Sequence, residues 1–391
     1  MIFSPVSTGV PWEVALSAAI VCISASASGP KKPPPTTVPV THTVVYRQEG
    51  RFGGWPANHG IWSWGDEILV GFTSGYFKDV EGFHALDKTK PLHNMQARSL
   101  DGGSEWTVES DLAPIHPMGA ASGFSREGQE RPTLSSPESP LDFSDPDVVV
   151  MCGMSGFNRA ASSWFHSSSD RGKSWAGPFA IPQFERSGIY ARTDVLPLGA
   201  SEALFLLTAS KTNGRQGMVF ATQTTDGGRT FSEPSWLGSE PDGFEIMPST
   251  LRLGESRLLT VVRGKSGDRN FLSTYLSLDL GATWTRLDDA IANTGRGGSP
   301  PALLNLKDGR LCLIYGYRDA PSGIRARLSP DQGRMWGNEV ILRDDGGNHD
   351  LGYPRAVQRP DGRVVVVYYF NDDPAQERYI ASTIFDPADI P

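Results

Sequence analysis

Short apolar runs recur in pairs from residue 54 onwards, and they predict a chain built from β-strands. The first run of a pair often has a proline near its start, where a strand tolerates it. The six opening runs are GWPANHGIW from Gly54, ERPTL from Glu130, IYARTDVL from Ile189, EIMPSTLRL from Glu245, SPPALLNL from Ser299 and YPRAVQRP from Tyr353. The second runs are DEILVGF, DVVVMCG, EALFLLTA, SRLLTVV, GRLCLIYGY and GRVVVVYY. Runs rich in β-branched residues and bounded by turn residues are typical of strands.

A polar motif, Ser/Thr-x-Asp-x-Gly-x-x-Trp/Phe, occurs five times between these runs. It reads SLDGGSEW from Ser99, SSDRGKSW from Ser168, TTDGGRTF from Thr224, SLDLGATW from Ser277 and SPDQGRMW from Ser329. Its aspartates are 69, 56, 53 and 52 residues apart, and a near-constant period indicates a repeat architecture. The Asp and Ser side chains accept backbone N–H bonds in a tight turn, the Gly allows a positive φ, and the aromatic residue packs beneath the turn. We therefore predict that the motif stabilises turns between antiparallel strands and does no chemistry.

The motif resembles the Asp-box (BNR) repeat of the sialidase superfamily, whose members are six-bladed β-propellers. The resemblance covers roughly residues 43 to 387. It implies an all-β propeller domain over residues 41–391, with blades of four antiparallel strands. A propeller normally closes by pairing a strand from one terminus with the blade at the other. The last repeat runs out of chain after RYIASTIF, so we expect His42–Tyr46 to complete the sixth blade.

Composition agrees with one large closed domain of many short strands. The 391 residues include 43 Gly and 30 Pro, and the net charge of −8 argues against a general nucleic-acid surface. Cys152 and Cys312 lie in apolar runs of different repeats, so we expect small buried side chains rather than a disulfide or metal site. The seven histidines show no metal-ligand spacing. We expect no cofactor and no metal, and a monomeric protein.

Residues 1–40 differ in composition from the rest. Val14–Ile23 is a short apolar run, Ala25-Ser26-Ala27 resembles a signal-peptidase site, and KKPPPTTVP from Lys31 is typical of an extended linker. The apolar run is too short to span a membrane. We therefore expect a signal-like segment and an exported protein, secreted or periplasmic.

The starts of the inner strands of a propeller converge on its axis, so polar residues there are candidates for a shared pocket. The openings place His59, Glu245 and Tyr353 there, together with the arginines Arg131, Arg192, Arg296 and Arg355. This is an excess of arginine for an acidic protein, and arginine holds a carboxylate with two parallel hydrogen bonds. We expect an anion-binding pocket, with Thr73–Met95 and Ser110–Glu130 as loops at its mouth. His349-Asp350, just before Tyr353, is expected to be structural.

The resemblance to sialidases implies roles for three matched positions. Sialidases place a tyrosine nucleophile at the start of the innermost strand of the last blade, and Tyr353 in GYPRAV matches it. Their glutamate base opens blade four, as Glu245 does in GFEIMPSTLRL. An arginine of the next strand contacts the substrate carboxylate, and Arg263 in LLTVVRGK fits. A phenol suits this reaction because a carboxylate nucleophile would be repelled by the substrate's own carboxylate.

Other parts of the sialidase pattern match less well. The first-blade Arg-Ile-Pro motif is replaced by GGWPANHG, and Arg51 upstream is a candidate substitute. The blade-five arginine is Arg318 or Arg325, with Arg355 as a further contact. The acid/base aspartate belongs in the blade-one insertion, where Asp87 and Asp79 both qualify.

The predicted function is an exo-acting glycoside hydrolase, resembling an exo-α-sialidase, that cleaves a terminal acidic sugar from a glycan. One alternative is a uronate-directed hydrolase or lyase on the same propeller that uses His59, since the pKa of a histidine lies near physiological pH. The other is a non-catalytic glycan-binding propeller. All three have a carbohydrate partner, and fold alone does not choose between them.

Overall fold

The computed structural model describes residues 36–80, 82–109, 113, 134–157 and 159–390. The strands form six sheets, and the first strands of neighbouring sheets contact one another around a ring. The protein is therefore a six-bladed β-propeller, as predicted. The described residues contain no α-helix, only the 3-10 turns Pro56–Asn58 and Pro387–Asp389, so none of them forms a helix able to cross a membrane.

The blades follow one another in the order of the chain. Blade 1 consists, from the axis outwards, of Arg51–Gly54 and Gly60–Trp64, then Glu67–Tyr76, His93–Ser99 and Thr107–Val108. Blade 2 consists, in its described part and in the same direction, of Val149–Met154, Ser163–Ser168 and Ala176–Ile181. Blade 3 consists of Ile189–Pro197, Ala203–Ser210, Gln216–Thr224 and Ser235–Trp236.

The remaining three blades have the same arrangement. Blade 4 consists of Phe244–Arg252, Leu258–Ser266, Arg269–Ser277 and Thr285–Arg286. Blade 5 consists of Pro301–Asn305, Leu311–Tyr317, Gly323–Ser329 and Val340–Arg343, with Thr36–Thr37 added in parallel at its outer edge. Blade 6 consists of Gly352–Gln358, Val364–Phe370, Tyr379–Phe385 and Val40–Tyr46. All six predicted second runs are strands.

The sixth blade is completed from the N-terminal side, as predicted. Val40–Tyr46 pairs antiparallel with Tyr379–Phe385, with Val40 opposite Phe385 and His42 opposite Thr383. The side chains of His42 and Thr383 also meet, with Nδ1 and Oγ1 2.8 Å apart. The outermost strand of blade 6 thus comes from the segment that precedes blade 1 in the chain.

Two of the predicted openings differ from a simple inner strand. In blade 1 the opening is interrupted by the 3-10 turn at Pro56, and the strands on either side both pair with Glu67–Tyr76. In blade 2 only Leu134 of ERPTL is described, and it belongs to no strand. Ser135, the next residue, bridges to Phe179 in the outermost described strand of the blade. The end of this run therefore follows the outer edge of the blade rather than an inner strand.

Two further predictions concern segments that are largely outside the described residues. The signal-like segment falls within residues 1–35, and the predicted loop Ser110–Glu130 is described only at Ala113. The other predicted loop, Thr73–Met95, is shorter than expected. Strands extend into it from both sides, as far as Tyr76 and from His93 onwards, so the insertion proper is the segment between them.

The five motifs form turns between antiparallel strands in the outer part of blades 1 to 5, as predicted. In each, the first Ser or Thr hydroxyl accepts the N–H of the glycine four residues later at 2.8 Å. The aspartate accepts the N–H four residues beyond itself at 2.8–2.9 Å. Hydrogen bonds, of which that from the Thr230 hydroxyl is the strongest, lower the pKa of Asp226 to about 2. These groups are engaged within the turns, which fits a structural role.

The hydrophobic core lies between the blades. Alternate residues of Val364–Phe370 belong to two different clusters: Val364, Val366 and Tyr368 pack with blade 5, and Val365, Val367 and Tyr369 pack with blade 1. This is the two-residue period of a strand that is buried on both faces. Cys152 and Cys312 are buried and free, as expected.

Three inner strands share an irregularity at the same level. The strand register shifts between Tyr190 and Asp194 in blade 3, between Ile246 and Pro248 in blade 4, and between Gly352 and Arg355 in blade 6. Two residues at these shifts, Met247 and Tyr353, have left-handed backbone conformations with φ of 58° and 55°. Bulges of this kind redirect side chains, and in this ring they separate two layers of the central channel.

Candidate active site

A pocket of about 300 Å³ lies where the inner strands of blades 3, 4 and 6 begin. We call it the Tyr353 pocket, and all six blades or their loops contribute to its lining. The lining residues are Phe83, His84, Phe157, Arg192, Gln216, Phe244, Ile246, Arg263, Lys265, Gly297, Arg318 and Tyr353. Basic and aromatic side chains predominate, and none of these described residues is a carboxylate.

Tyr353 lies at the base of this pocket, and its side chain is almost entirely buried. Its hydroxyl accepts a hydrogen bond from Arg263 Nη1 at 3.0 Å and a longer one from Arg192 Nη2 at 3.4 Å. The Arg318 guanidinium carbon lies 5.5 Å from the ring centroid. Burial alone would raise the pKa of Tyr353, but the charges of Arg263, Arg192 and Arg318 lower it to about 8. The phenolate is therefore accessible near neutral pH.

The backbone of Tyr353 is held in an unfavourable conformation. A bulky residue with φ of 55° is an outlier for an L-amino acid, and strain of this kind clusters at functional sites. The backbone N–H of Tyr353 donates to Ser299 Oγ at 3.4 Å. The conformation turns the side chain of Tyr353 towards the arginines.

The three arginines carry positive charge that no described carboxylate neutralises directly. Arg192, Arg263 and Arg318 form no ion pair within the described part of the chain. Arg263 donates to the carbonyl of Gly297, and Arg318 donates to the carbonyls of Gly298 and Leu351. The Nε atoms of Arg192 and Arg263 are buried without a hydrogen-bond partner among the described residues, and burial lowers the pKa of both side chains. Such an arrangement is suited to an anionic ligand.

A histidine and an aspartate lie beside the tyrosine. His84, in the blade-one insertion, has Nδ1 3.3 Å from Asp350 Oδ1, and its ring centroid is 6.1 Å from that of Tyr353. Trp55 Nε1 also donates to His84 Nδ1 at 3.1 Å. Burial lowers the pKa of His84, and the hydrogen bond and charge of Asp350 partly oppose that effect. The sequence assigns no chemical role to either residue, and it predicts a structural one for Asp350.

Asp350 is itself held firmly. It accepts hydrogen bonds from Arg378 Nε at 2.9 Å, from the Tyr369 hydroxyl at 2.9 Å and from the N–H of Ala85 at 3.0 Å. Burial would raise the pKa of Asp350, but His84, Arg378 and the Ala85 N–H lower it well below its usual range. The aspartate is therefore a fixed negative charge behind the histidine.

The structure does not bring Glu245 to Tyr353. Phe244 and Ile246 line the pocket, and Glu245 between them points to the other face of the strand. Its Oε2 accepts a hydrogen bond from the Tyr275 hydroxyl at 2.6 Å. The geometry therefore does not support the predicted pairing of Glu245, as base, with Tyr353.

The aspartates expected as acid/base also lie elsewhere. Asp87 Oδ1 accepts the N–H of Thr89 at 3.0 Å and its hydroxyl at 2.7 Å, so its carboxylate completes a local turn. Asp79 lines a separate surface depression with Arg296 and His349. The insertion does shape the mouth of the pocket, as predicted, but it contributes Phe83 and His84 rather than an aspartate.

His59 and Arg355 lie together in a different cavity of about 280 Å³, lower in the channel, which we call the His59 cavity. Arg355 Nη1 donates to Asp194 Oδ1 at 2.5 Å, and its Nη2 donates to the carbonyl of Ala57 at 2.9 Å. His59 Nε2 is 2.8 Å from Thr73 Oγ1, and burial, aided by the charge of Arg355, lowers the pKa of His59 to about 3. His59 and Arg355 therefore both lie outside the Tyr353 pocket. A substrate bound to Tyr353 would not meet the contact predicted for Arg355 or the histidine of the alternative function.

Among the other predicted arginines that the structure describes, only Arg318 lines the Tyr353 pocket. Arg51 donates to Ser74 Oγ at 3.1 Å and stacks on Tyr76 at 4.0 Å, outside the pocket, so it does not replace a first-blade clamp residue. Arg325 donates to the carbonyls of Arg343 and Pro321, which leaves Arg318 as the blade-five arginine of the pocket. Arg131 lies outside the described residues. Of the predicted set, the structure brings together Tyr353, Arg192, Arg263 and Arg318.

Comparisons with known proteins agree with this architecture. Residues 148–366 match a family model described as a BNR repeat-like domain. None of the curated proteins compared with the chain matches it in sequence. Among solved structures, a protein of unknown function from Dyadobacter fermentans is 24% identical, with a TM-score of 0.66 over 89% of this chain and 99% of that chain.

Two further structures are more distant in sequence. A sialidase from Streptococcus pneumoniae is 11% identical, with a TM-score of 0.57 over 89% of this chain and 71% of that chain. A GH93 α-L-arabinofuranosidase of Fusarium graminearum, solved with arabinobiose, is also 11% identical, with a TM-score of 0.57 over 87% of this chain and 98% of that chain. At these identities the likeness establishes the propeller fold only.

Proposed function

The chain belongs to the BNR repeat-like domain family, and from this premise we propose that it is a glycoside hydrolase that removes a terminal acidic sugar from a glycan through Tyr353. The observation that carries the proposal is the hydroxyl of a buried tyrosine, bonded to Arg263 and Arg192, at the base of a pocket whose described lining contains no carboxylate. The propeller neighbours that are a sialidase and an arabinofuranosidase support it, as proteins that act on glycosides.

Electrostatics favour a tyrosine nucleophile in this pocket. In a sialic acid the anomeric carbon itself carries a carboxylate, which repels an anionic carboxylate nucleophile. A phenolate spreads its charge over the ring, and the arginines that lower the pKa of Tyr353 to about 8 make it available. Glu245 is bonded to Tyr275, so Tyr353 is activated by guanidiniums that stabilise its phenolate rather than by a carboxylate that removes its proton.

The arginines also select the substrate. Arg192 and Arg263 face the pocket, and the Nε of each has no partner in the part of the chain that the structure describes, so a substrate carboxylate would satisfy buried donors. Arg318 is tied to backbone carbonyls and contributes mainly its charge. A neutral sugar would leave these donors unpaired, which is how a site built around polar groups rejects an analogue.

The size of the pocket favours exo-action. A volume of about 300 Å³ lies at the lower end for ligand sites, and it suits one sugar residue rather than an internal stretch of polysaccharide. Phe83, Phe157 and Phe244 provide apolar surface for the faces of that sugar.

The test is release of a fluorogenic aglycone from an α-sialoside, and from a panel of other acidic glycosides, by the full chain. We expect Tyr353→Phe to lower turnover by at least about 10³-fold because it removes the nucleophile. Tyr368→Phe is the matched control, since Tyr368 is a buried phenol of the same blade that bonds Thr383 in another cluster. Glu245→Gln, which keeps an acceptor for Tyr275, should retain turnover. Undiminished turnover in Tyr353→Phe would contradict the proposal.

The position of Glu245 favours one competing function, a non-catalytic protein that binds acidic glycans. With no described carboxylate bonded to Tyr353, the same pocket is suited to holding an anion without reacting with it. This alternative predicts binding of an acidic oligosaccharide by the wild type, weakened in Arg263→Gln, with no product after long incubation. Product formation that depends on Tyr353 would exclude it.

A further inference from the structure

We infer that His84, oriented by Asp350, is the residue that protonates the leaving oxygen and then activates water in the proposed hydrolysis. The inference rests on the proposed function, and it assigns the acid/base role that neither Asp87 nor Asp79 is placed to perform. It is drawn from the position of the two side chains relative to Tyr353.

The groups that line the Tyr353 pocket leave few alternatives. Besides the arginines and Tyr353 itself, the titratable residues of its described lining are His84 and Lys265. Histidine is the side chain that commonly serves both as a general acid and as a general base. His84 is therefore the lining group suited to donate and accept a proton in turn.

His84 and Tyr353 are close enough to act on one sugar. The centroids of the two rings are 6.1 Å apart, and the His84 side chain is 26% exposed at the pocket. In retaining glycosidases the nucleophile and the acid/base lie about 5–5.5 Å apart, on either side of the anomeric carbon. The two rings pack edge to face and both line the pocket, so a sugar held there by the arginines would be bordered by both groups.

The contacts of His84 make its proton exchangeable. Asp350 faces Nδ1 at 3.3 Å and stabilises the imidazolium, in which Nδ1 carries a proton. The Trp55 N–H faces the same nitrogen at 3.1 Å and stabilises the neutral ring, in which Nδ1 is an acceptor. Nε2 has no hydrogen-bond partner among the described residues. Asp350 favours a proton on Nδ1, so that Nε2 is the nitrogen that exchanges a proton with the substrate, whereas the Trp55 N–H and burial act against this protonation.

Two arginines of the pocket also act on the protonation of His84. Arg318 and Arg192 both disfavour a second positive charge beside them, whereas Asp350 favours it. A bound substrate carboxylate would offset the charges of the two arginines. Substrate binding would thereby favour the protonated, acid form of His84 at the point where the acid is needed.

The reaction balances without a further reactant. In the first step Tyr353 Oη bonds to the anomeric carbon, the bond to the leaving oxygen breaks, and that oxygen takes the proton of His84 Nε2. In the second step water attacks the same carbon and gives a proton to Nε2, while the bond to Tyr353 breaks and its electrons return to the phenolate. Both residues end as they began.

The experiment compares two glycosides of the acidic sugar that the wild type hydrolyses, a methyl glycoside and a 4-nitrophenyl glycoside. The methyl glycoside needs protonation of its leaving oxygen, whereas 4-nitrophenolate leaves without it. We expect His84→Ala to lower kcat/KM about 10³-fold on the methyl glycoside and less than about tenfold on the 4-nitrophenyl glycoside. In His84→Ala, added azide should restore turnover of the 4-nitrophenyl glycoside and yield a glycosyl azide. His93→Gln, at an exposed histidine of blade 1, is the control.

Asp350→Asn tests the orienting role. Like His84→Ala, it should lower kcat/KM more on the methyl glycoside than on the 4-nitrophenyl glycoside, but by a smaller factor. Circular dichroism checks that the variant is folded. Equal losses on both glycosides in His84→Ala, without azide rescue, would overturn the inference while Tyr353→Phe could still support the proposed function. Absence of turnover by the wild type on every acidic glycoside would overturn both.

Discussion

Both layers of the central channel contain buried arginines, but the arginine of one layer is ion-paired and those of the other have no carboxylate partner among the described residues. In the Tyr353 pocket, Arg192 and Arg263 are buried without a carboxylate partner among the described residues. In the His59 cavity, Arg355 is paired with Asp194 at 2.5 Å. Arg192 and Asp194 are two positions apart on one strand, as Tyr353 and Arg355 are on another. Paired charge therefore stabilises the ring, whereas the charge without a described carboxylate partner is the one that the proposed function assigns to a ligand.

The largest expected effect concerns the paired layer. Asp194→Ala would leave Arg355 without its carboxylate and the N–H of Thr250 without its acceptor. We expect the free energy of unfolding to fall by about 3–5 kcal/mol, as measured by urea denaturation.

The control for this variant is Asp308→Ala, which removes an exposed ion pair with Arg310. That change should cost no more than about 1 kcal/mol. Equal losses in the two variants would remove the distinction between the layers.

The second effect concerns the unpaired layer. Arg263→Gln should weaken binding of an acidic sugar by about 2–3 kcal/mol, or roughly 30–150-fold, because a charge-assisted hydrogen bond is lost. Its free energy of unfolding should change by less than about 1 kcal/mol, because no ion pair is broken. Calorimetric titration and urea denaturation measure the two quantities. If Arg263→Gln lost much stability and still bound the acidic sugar like the wild type, Arg263 would stabilise the fold rather than hold a ligand, contrary to our expectation.

The third effect is in the titration of Tyr353, whose pKa of about 8 lies below the ordinary value of 10. Because the pKa of Tyr353 is lower in the folded than in the unfolded protein, its ionisation stabilises the folded state by up to about 2–3 kcal/mol above pH 10. This stabilisation is lost as the pH falls through 8. The wild type should therefore gain stability relative to Tyr353→Phe between about pH 8 and 10. The ultraviolet difference spectrum of the two proteins should show one phenol titrating near pH 8. A midpoint at the ordinary value or above would refute the electrostatic account.

Much of the architecture was predictable because it depends on local patterns that repeat. The second strands are apolar enough to be buried on both faces, and the turns contain their own hydrogen-bonding side chains. The closure by Val40–Tyr46 follows from the cost of an unpaired edge. These features do not depend on the course of any single loop.

The site was less predictable because it depends on small irregularities. Alternation along a strand places side chains correctly only while the register holds. The shift between Ile246 and Pro248 lies beside Glu245, which bonds Tyr275 rather than Tyr353. A similar shift between Gly352 and Arg355 directs Tyr353 and Arg355 into different cavities. A motif match gives the position of a residue, but a bulge decides which way its side chain faces.

His84 was beyond sequence reasoning for a different reason. It lies in an insertion with φ of 64°, and its neighbour Ala85 bonds Asp350, 265 residues further along the chain. No period in the sequence connects these two segments. The presence of His84 near Asp87 in the insertion was visible, but its contact with Asp350 exists only in the folded ring.

The strand that closes the ring also sets the order in which the molecule can mature. Val40–Tyr46 is synthesised long before its partner Tyr379–Phe385. Arg318 and Tyr353 belong to blades 5 and 6, so a growing chain on the ribosome lacks these two residues of the pocket until those blades have been made. Contacts this distant along the chain form slowly. Any hydrolytic activity would therefore arise only after blade 6 has been made, and a chain truncated before blade 6 would have none.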